Sequence, residues 1–264
     1  MTKGFNDVEY LVSCLVNIVR NSSTLMTTRF EILQKGSQSN IVTANDKAVQ
    51  DYLIFELEKL LPGSGFMCEE DDFRKEKKYT WIIDPIDGTT NYSRGIDACA
   101  ISVALRQSDV ITIGVVYLPY KDEMFTAIRG KGAYLNGERI NVSNRTFEES
   151  LLCTSFCAYH KENLGICSQI INETYLQCND IRRFGSAASE LCYVAKGCCE
   201  LFFEYELYPW DYAAASLILR EAGGKVLDLK GKVLSYQGKT GIIAANSIEH
   251  LNRLLEIVVK YISS

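Results

Sequence analysis

Histidine is almost missing from this chain: among 264 residues only His160 and His250 occur. They cannot form an H-E-x-x-H zinc element, and neither suggests itself as a nucleophile. Proline is as sparse, with 4 residues, and no Pro/Ser-rich linker, repeat or low-complexity tract interrupts the chain. Neither a Walker A loop nor a G-x-S-x-G elbow is found. No stretch attains the roughly 20 apolar residues that span a bilayer. Basic side chains are outnumbered, 28 against 33 acidic ones. The net charge of -5 therefore disfavours an electrostatic grip on nucleic acid or an anionic membrane.

Cysteine is plentiful by contrast, with 10 residues, yet no C-x-x-C unit occurs among them. Nearly all sit in apolar runs, where free thiols behave as small hydrophobes, so a reduced, cytoplasmic protein is expected. A zinc site from Cys153 with Cys157, or from Cys198 with Cys199, is the minor alternative. The apolar run Tyr10 to Val19 imitates the centre of a signal peptide. Its acidic flank (Asp7, Glu9), the interruption at Asn17 and the missing cleavage site favour an amphipathic helix instead.

What is present is the balance of a packed globular protein, 47% hydrophobic and 23% charged. Helices are expected over about 7–20 and 45–61, the second opened by Asn45 and stopped by Pro62-Gly63. An apolar strand from Tyr79 ends at Asp84, and 98–105, 110–117 and 124–128 read as successive antiparallel strands. Asn136-Gly137 signals a hairpin. After that the rhythm changes. Short strands near 151–155, 181–184, 200–204, 225–228 and 241–245 alternate with helices near 162–177, 186–196, 210–222 and 247–262. A meander followed by an α/β half suggests two layered lobes divided near residue 145.

The segment Asp84-Pro85-Ile86-Asp87-Gly88-Thr89-Thr90-Asn91 carries most of the chemical information. The strand delivers Asp84, Pro85 is expected to end its pairing, and Gly88 permits a tight turn. Two carboxylates three residues apart, with the Ile86 carbonyl between them, offer hard oxygen ligands suited to Mg²⁺. If the next segment is helical, the amides of Gly88 and Thr89 form a site for phosphate. Asp-Pro and Asp-Gly are also ordinary turn dipeptides. Further acids strengthen the metal reading: Glu69-Glu70 precedes the Asp84 strand, and Asp211 opens an apolar helix.

The chain resembles the inositol-monophosphatase family over nearly its whole length. The resemblance is carried by Trp81-Ile82-Ile83-Asp84-Pro85-Ile86-Asp87-Gly88-Thr89-Thr90-Asn91 and by Pro209-Trp210-Asp211-Tyr212-Ala213-Ala214-Ala215, which leads to Glu221-Ala222-Gly223-Gly224. Val42-Thr43-Ala44-Asn45-Asp46, Gly132-Ala133-Tyr134-Leu135-Asn136-Gly137 and Gly185-Ser186-Ala187-Ala188 match in order and spacing. It implies an α+β/α/β fold, a layered αβαβα sandwich of the sugar-phosphatase type. Residues 1–145 would form a lobe with most metal ligands and 146–264 would complete the site, in one compact unit.

The resemblance also implies roles. Glu69, Asp84 and the Ile86 carbonyl would hold one Mg²⁺; Asp84, Asp87 and Asp211 would hold a second. A third, weaker ion would rest mainly on Glu69. Thr89, hydrogen-bonded to Asp46, would orient and help deprotonate the attacking water, with Glu69 beside them in catalysis. Asp87, the backbone around Ala187, and Glu204 would contact polyol hydroxyls. The implied activity is Mg²⁺-dependent hydrolysis of inositol 1-phosphate or a similar polyol phosphate, by a lithium-sensitive cytoplasmic homodimer. Fructose-1,6-bisphosphatase, with Arg182-Arg183 as second anion pocket, and nucleotide 3′-phosphatase remain alternatives, as does a regulatory binding protein that keeps the fold. The chain departs from the pattern at Asn40, around Lys35, at Asp71-Asp72 after Glu70, and over Tyr92 to Asp97. These departures bear on specificity more than on catalysis.

Overall fold

The computed structural model describes residues 4–26, 32–34, 41–70, 74–156 and 160–262. Five layers alternate helix and sheet. The outermost helices are α1 (Gly4–Ser22) and α2 (Ala44–Leu60), preceded by the small antiparallel pair β1 (Ile32–Gln34) and β2 (Ile41–Thr43). They cover an eight-stranded sheet built from β3 (Gly65–Cys68), β4 (Arg74–Lys75), β5 (Tyr79–Asp87), β6 (Ala100–Gln107), β7 (Val110–Leu118), β8 (Glu123–Ile128), β9 (Gly132–Leu135) and β10 (Glu138–Ile140). Its order is β10-β9-β8-β7-β6-β5-β3-β4, antiparallel except where β3 lies parallel to β5. The turn between β9 and β10 is Asn136-Gly137 with both φ angles positive, as that dipeptide favours.

The short helix α3 (Thr89–Ser93) follows β5. The second sheet has five strands: β11 (Leu151–Thr154), β12 (Asp180–Arg182), β13 (Leu201–Leu207), β14 (Lys225–Asp228) and β15 (Thr240–Ala245), in the order β12-β11-β13-β15-β14. Helices α5 (Ala187–Ala195) and α6 (Pro209–Glu221) form the middle layer, and α4 (Leu164–Tyr175) and α7 (Ile248–Ile262) cover the far face.

Strand periodicity explains the layering. Trp81, Ile83, Ile101, Val103 and Val115 point to α1 and α2, where Leu15, Val19, Leu53 and Leu57 meet them. The alternate residues Ile82, Ala104, Val116 and Phe125 point to the middle helices. On the second sheet Phe202, Ile242 and Ala244 face the same helices, whereas Leu201, Phe203 and Ile243 pack on Leu251, Leu254 and Val258 of α7. Sheets buried on both faces lack the apolar/polar alternation of half-exposed ones.

Three expectations need correction. The strand through Asp84 does not stop at Pro85; β5 continues to Asp87. Pairing resumes because Pro85 falls inside a bulge, where Asp84 opposes Ser102 and Asp87 opposes Ala100, so no ladder N–H is asked of the proline. Asn45 does not precede α2 but lies within its first turn, its amide directed to the Tyr92 hydroxyl at 2.5 Å. Cys167 is disulfide-bonded, so the cysteines are not uniformly reduced, although eight others are free thiols.

The middle layer fits tightly against the first sheet. A Cβ on Gly114 of β7 would stand 2.6 Å from the carbonyl oxygen of Ala214 in α6. Gly114→Val should therefore push α6 off the sheet and cost about 1–3 kcal/mol. Urea unfolding checks this, and an unchanged midpoint would show that the helix can retreat freely.

Candidate active site

Acidic side chains reach one place from the ends of separate elements. In a regular strand, residues three apart face opposite sides. The bulge in β5 adds one residue between Asp84 and Asp87, and their partners Ser102 and Ala100 are two apart on β6, so both aspartates face the same side. They are 1% and 8% exposed. Asp84 Oδ1 accepts the Ile86 amide at 3.0 Å. Glu69 follows β3; its amide donates to the Ile83 carbonyl at 3.2 Å, and its carboxyl hydrogen-bonds Asp84. Gln50 of α2 steadies that corner, accepting the Glu70 amide at 3.0 Å and donating to the Glu70 carbonyl at 3.1 Å. Asp211 comes from the first turn of α6, with Oδ2 accepting the Tyr208 amide at 2.7 Å.

Around these acids stands a ring of polar groups. Gly88 turns the chain from β5 into α3 at φ 89°, and a Cβ there would lie 2.9 Å from the Ala98 carbonyl oxygen. The Thr89 hydroxyl is 3.0 Å from Asp46 Oδ1 and 2.9 Å from the Ile86 carbonyl. Its single proton serves one acceptor at a time. Asp46 is fully buried in the first turn of α2. Asp87 Oδ2 accepts the Ser186 hydroxyl at 2.6 Å and the Ala188 amide at 2.7 Å, with the Ala187 amide also directed to Asp87. Glu204, partly buried on β13, takes a hydrogen bond from Ser155.

Burial, then the charges of Glu69, Asp87 and Asp211, push the Asp84 carboxyl well above the usual range. Asp211 is raised by burial, then by Glu69 and Asp87, against the opposing Tyr208 amide. Burial lifts Asp87 to about 6, restrained by Ser186 and by the amides of Ala188, Ala187 and Ser189. Glu204 is lifted by burial to about 7, with Ser155 opposing. Carboxylates that raise one another in this way suit a hard divalent cation, which would cancel their repulsion. Among the described residues, no three His, Cys, Asp or Glu side chains stand close enough to enclose an ion as they are. Asp84, Asp87 and Asp211 each engage an amide or hydroxyl through one oxygen, and Asp84 also meets the Glu69 carboxyl. The donor chemistry suits Mg²⁺.

Several participants carry no role in the sequence reading. Ser186 and Ala188 bind Asp87, Gln50 clamps Glu70, and the Asn91 amide donates to the carbonyls of Ala98 and Phe184 at 2.7 and 2.6 Å. Only Ser186 has a local signal, a serine before an apolar helix, and it does cap α5. Of the expected pair Arg182-Arg183, Arg182 is bound to Asp180 at 2.5 Å. Lys35, Asn40 and Asp71-Asp72 lie outside the described residues.

A model of the inositol monophosphatase family matches residues 7–263. The Nus factor SuhB of Salmonella typhimurium strain LT2 is 40% identical over 219 residues, 82% of this chain and 81% of that protein. The Thermotoga maritima IMPase superposes with a TM-score of 0.86 at 31% identity, covering 96% of this chain and 98% of its own. SaIMPase-II with inositol monophosphate bound gives 0.78 at 26% identity, covering 95% and 94%. An IMPase/NADP phosphatase complexed with Mg²⁺ and phosphate shares the fold, at 0.84 and 23% identity over 97% and 96%.

The raised Glu204 carboxyl sets a pH dependence. Below 4.5 it is protonated in both folded and unfolded chains; between 4.5 and about 7 it is protonated only in the folded one. Its contribution to stability is thus full at low pH and is lost as pH rises through about 7. In EDTA, Glu204→Gln should gain about 1–3 kcal/mol on the native protein between about pH 4 and 8. Urea midpoints at the two pH values check this, and a constant difference would remove the buried-carboxyl assignment.

Proposed function

The chain belongs to the inositol monophosphatase family, and from that membership we propose that it is a Mg²⁺-dependent phosphomonoesterase for inositol 1-phosphate or a similar polyol or sugar monophosphate. The observation that carries the reading is the acidic cluster of buried Asp84 and Asp87 with half-buried Glu69 and Asp211, adjoining the Thr89–Asp46 pair. Glu69, Asp84, the Ile86 carbonyl, Asp87 and Asp211 would hold two to three Mg²⁺ ions. Such ions offset phosphate charge and lower the pKa of the attacking water.

The protein's own groups do the remainder. The Gly88 and Thr89 amides receive phosphate oxygens as α3 begins. Thr89 donates its proton to Asp46 and offers its oxygen to the water, orienting the attack, with Glu69 on the same side. The Ala187 backbone, Asp87 and Glu204 take the hydroxyls of the substrate. Fructose bisphosphate is a weaker candidate because Asp180 already engages Arg182. A cytoplasmic homodimer sensitive to lithium, with residues 1–145 and 146–264 as its lobes, belongs to the same proposal. Among the described residues no helix is long and apolar enough to cross a membrane.

The likeness to SuhB favours a second, compatible reading, a Nus-factor role alongside catalysis. Co-purification with the transcription machinery from the native host tests that role separately from catalysis.

Phosphate release from myo-inositol 1-phosphate, fructose 1,6-bisphosphate and a nucleotide bisphosphate, each with Mg²⁺ and with EDTA, tests the main reading. Release from the first, abolished by EDTA, is expected; no release from any overturns it. Asp84→Asn should nearly abolish turnover and also remove the rise in thermal midpoint produced by Mg²⁺. A midpoint that still rises would place the cation elsewhere. Thr89→Ala should lower kcat by about 10²–10⁴ while retaining that rise. An unchanged kcat removes Thr89 from the mechanism.

A further inference from the structure

Glu190, in the first half of α5, is 1% exposed, and no step above uses it. One of its oxygens accepts two successive amides, Phe184 at 2.7 Å and Gly185 at 2.9 Å. The other is buried with no partner among the described residues. A carboxylate half satisfied in the interior is costly to keep, so what it holds matters. It holds a turn of unusual closeness. Gly185 has φ 78°, and a Cβ there would come within 3.1 Å of the Asn91 side chain. Asn91 grips the Phe184 carbonyl, and the next residue along, Ser186, donates to Asp87 while capping the helix whose Ala188 amide does the same.

We propose that Glu190 is a positioning residue for Asp87, fixing the 184–186 turn so that Ser186 and Ala188 hold Asp87 Oδ2 in place. The turn receives three constraints: Glu190 on two amides, Asn91 on a carbonyl, and the serine cap. Removing the first leaves the Phe184 and Gly185 amides without this acceptor and loosens the turn that leads into Ser186 and Ala188, the donors to Asp87. The consequence for function rests on the phosphatase reading, but the test does not depend on it.

Amide hydrogen exchange at Ala188 reports the bond to Asp87 directly, and Asp87→Ala defines its complete loss. Glu190→Leu, similar in size but without an acceptor, should speed exchange at Phe184, Gly185 and Ala188 by about tenfold or more, leaving α7 unchanged. It should lower kcat by about 10- to 100-fold, with KM altered far less. Glu190→Gln, which retains an acceptor oxygen, should restore slow exchange at Ala188 and most of kcat. Native-like exchange at Ala188 in folded Glu190→Leu overturns the proposal, whatever the enzyme hydrolyses. Should Glu190→Leu not fold, Glu190→Asp, one methylene too short, takes its place, and native-like exchange there is equally fatal. Absence of phosphate release by the native protein overturns the function and leaves the exchange result standing.

Discussion

The structure depends on holding several like charges together where water is scarce. Asp84, Asp87 and Asp211 are raised by burial, and Asp84 and Asp211 also by neighbouring acids, a local penalty that a cation would relieve. What makes the arrangement tolerable is a donor for each: the Ile86 amide for Asp84, Ser186 and the Ala188 amide for Asp87, the Tyr208 amide for Asp211. Those donors come from a bulge and two helix starts, places where a backbone has N–H groups to spare. Stability is given up at the point where binding is needed, a common property of functional sites.

The five-layer architecture follows from the same requirement. Two sheets buried on both faces must share the middle helices α5 and α6, and those helices begin beside the bulged end of β5. Their small residues allow the approach: Ala214 stands against Gly114, and Ala187 and Ala188 meet Asp87 without side chains in the way. The middle layer thereby joins both halves of the chain and supplies Asp211, Ser186 and Ala188 to acids carried by the first sheet. A shift of α6 would reach Asp211 and the core together.

Much of the secondary structure was legible because its signals are local. The Asn136-Gly137 hairpin, the meander from β6 to β8 and the alternation of strands and helices after residue 150 rest on turn chemistry and periodicity that a few neighbours decide. Pro85 misled for the opposite reason: whether a proline ends a strand depends on the partner's register, and here the bulge absorbs it. Asn45 misled because α2 begins one residue earlier, at Ala44, and the Asn45 side-chain amide reaches Tyr92 on another element.

By itself the sequence determined which acids, glycines and turns are available, and family membership with them, because residue types in fixed order are what a motif is. The oxygen donors suited to Mg²⁺ were visible in Glu69, Asp84, Asp87 and Asp211 on those terms. Only the tertiary structure decided which groups attend them. Gln50 reaches Glu70, Ser186 reaches Asp87, and Glu190 secures the turn between. These contacts join residues up to about a hundred positions apart, and no local periodicity records them. Hydrogen bonds are set by distance in space, and that distance exists only after the layers have packed.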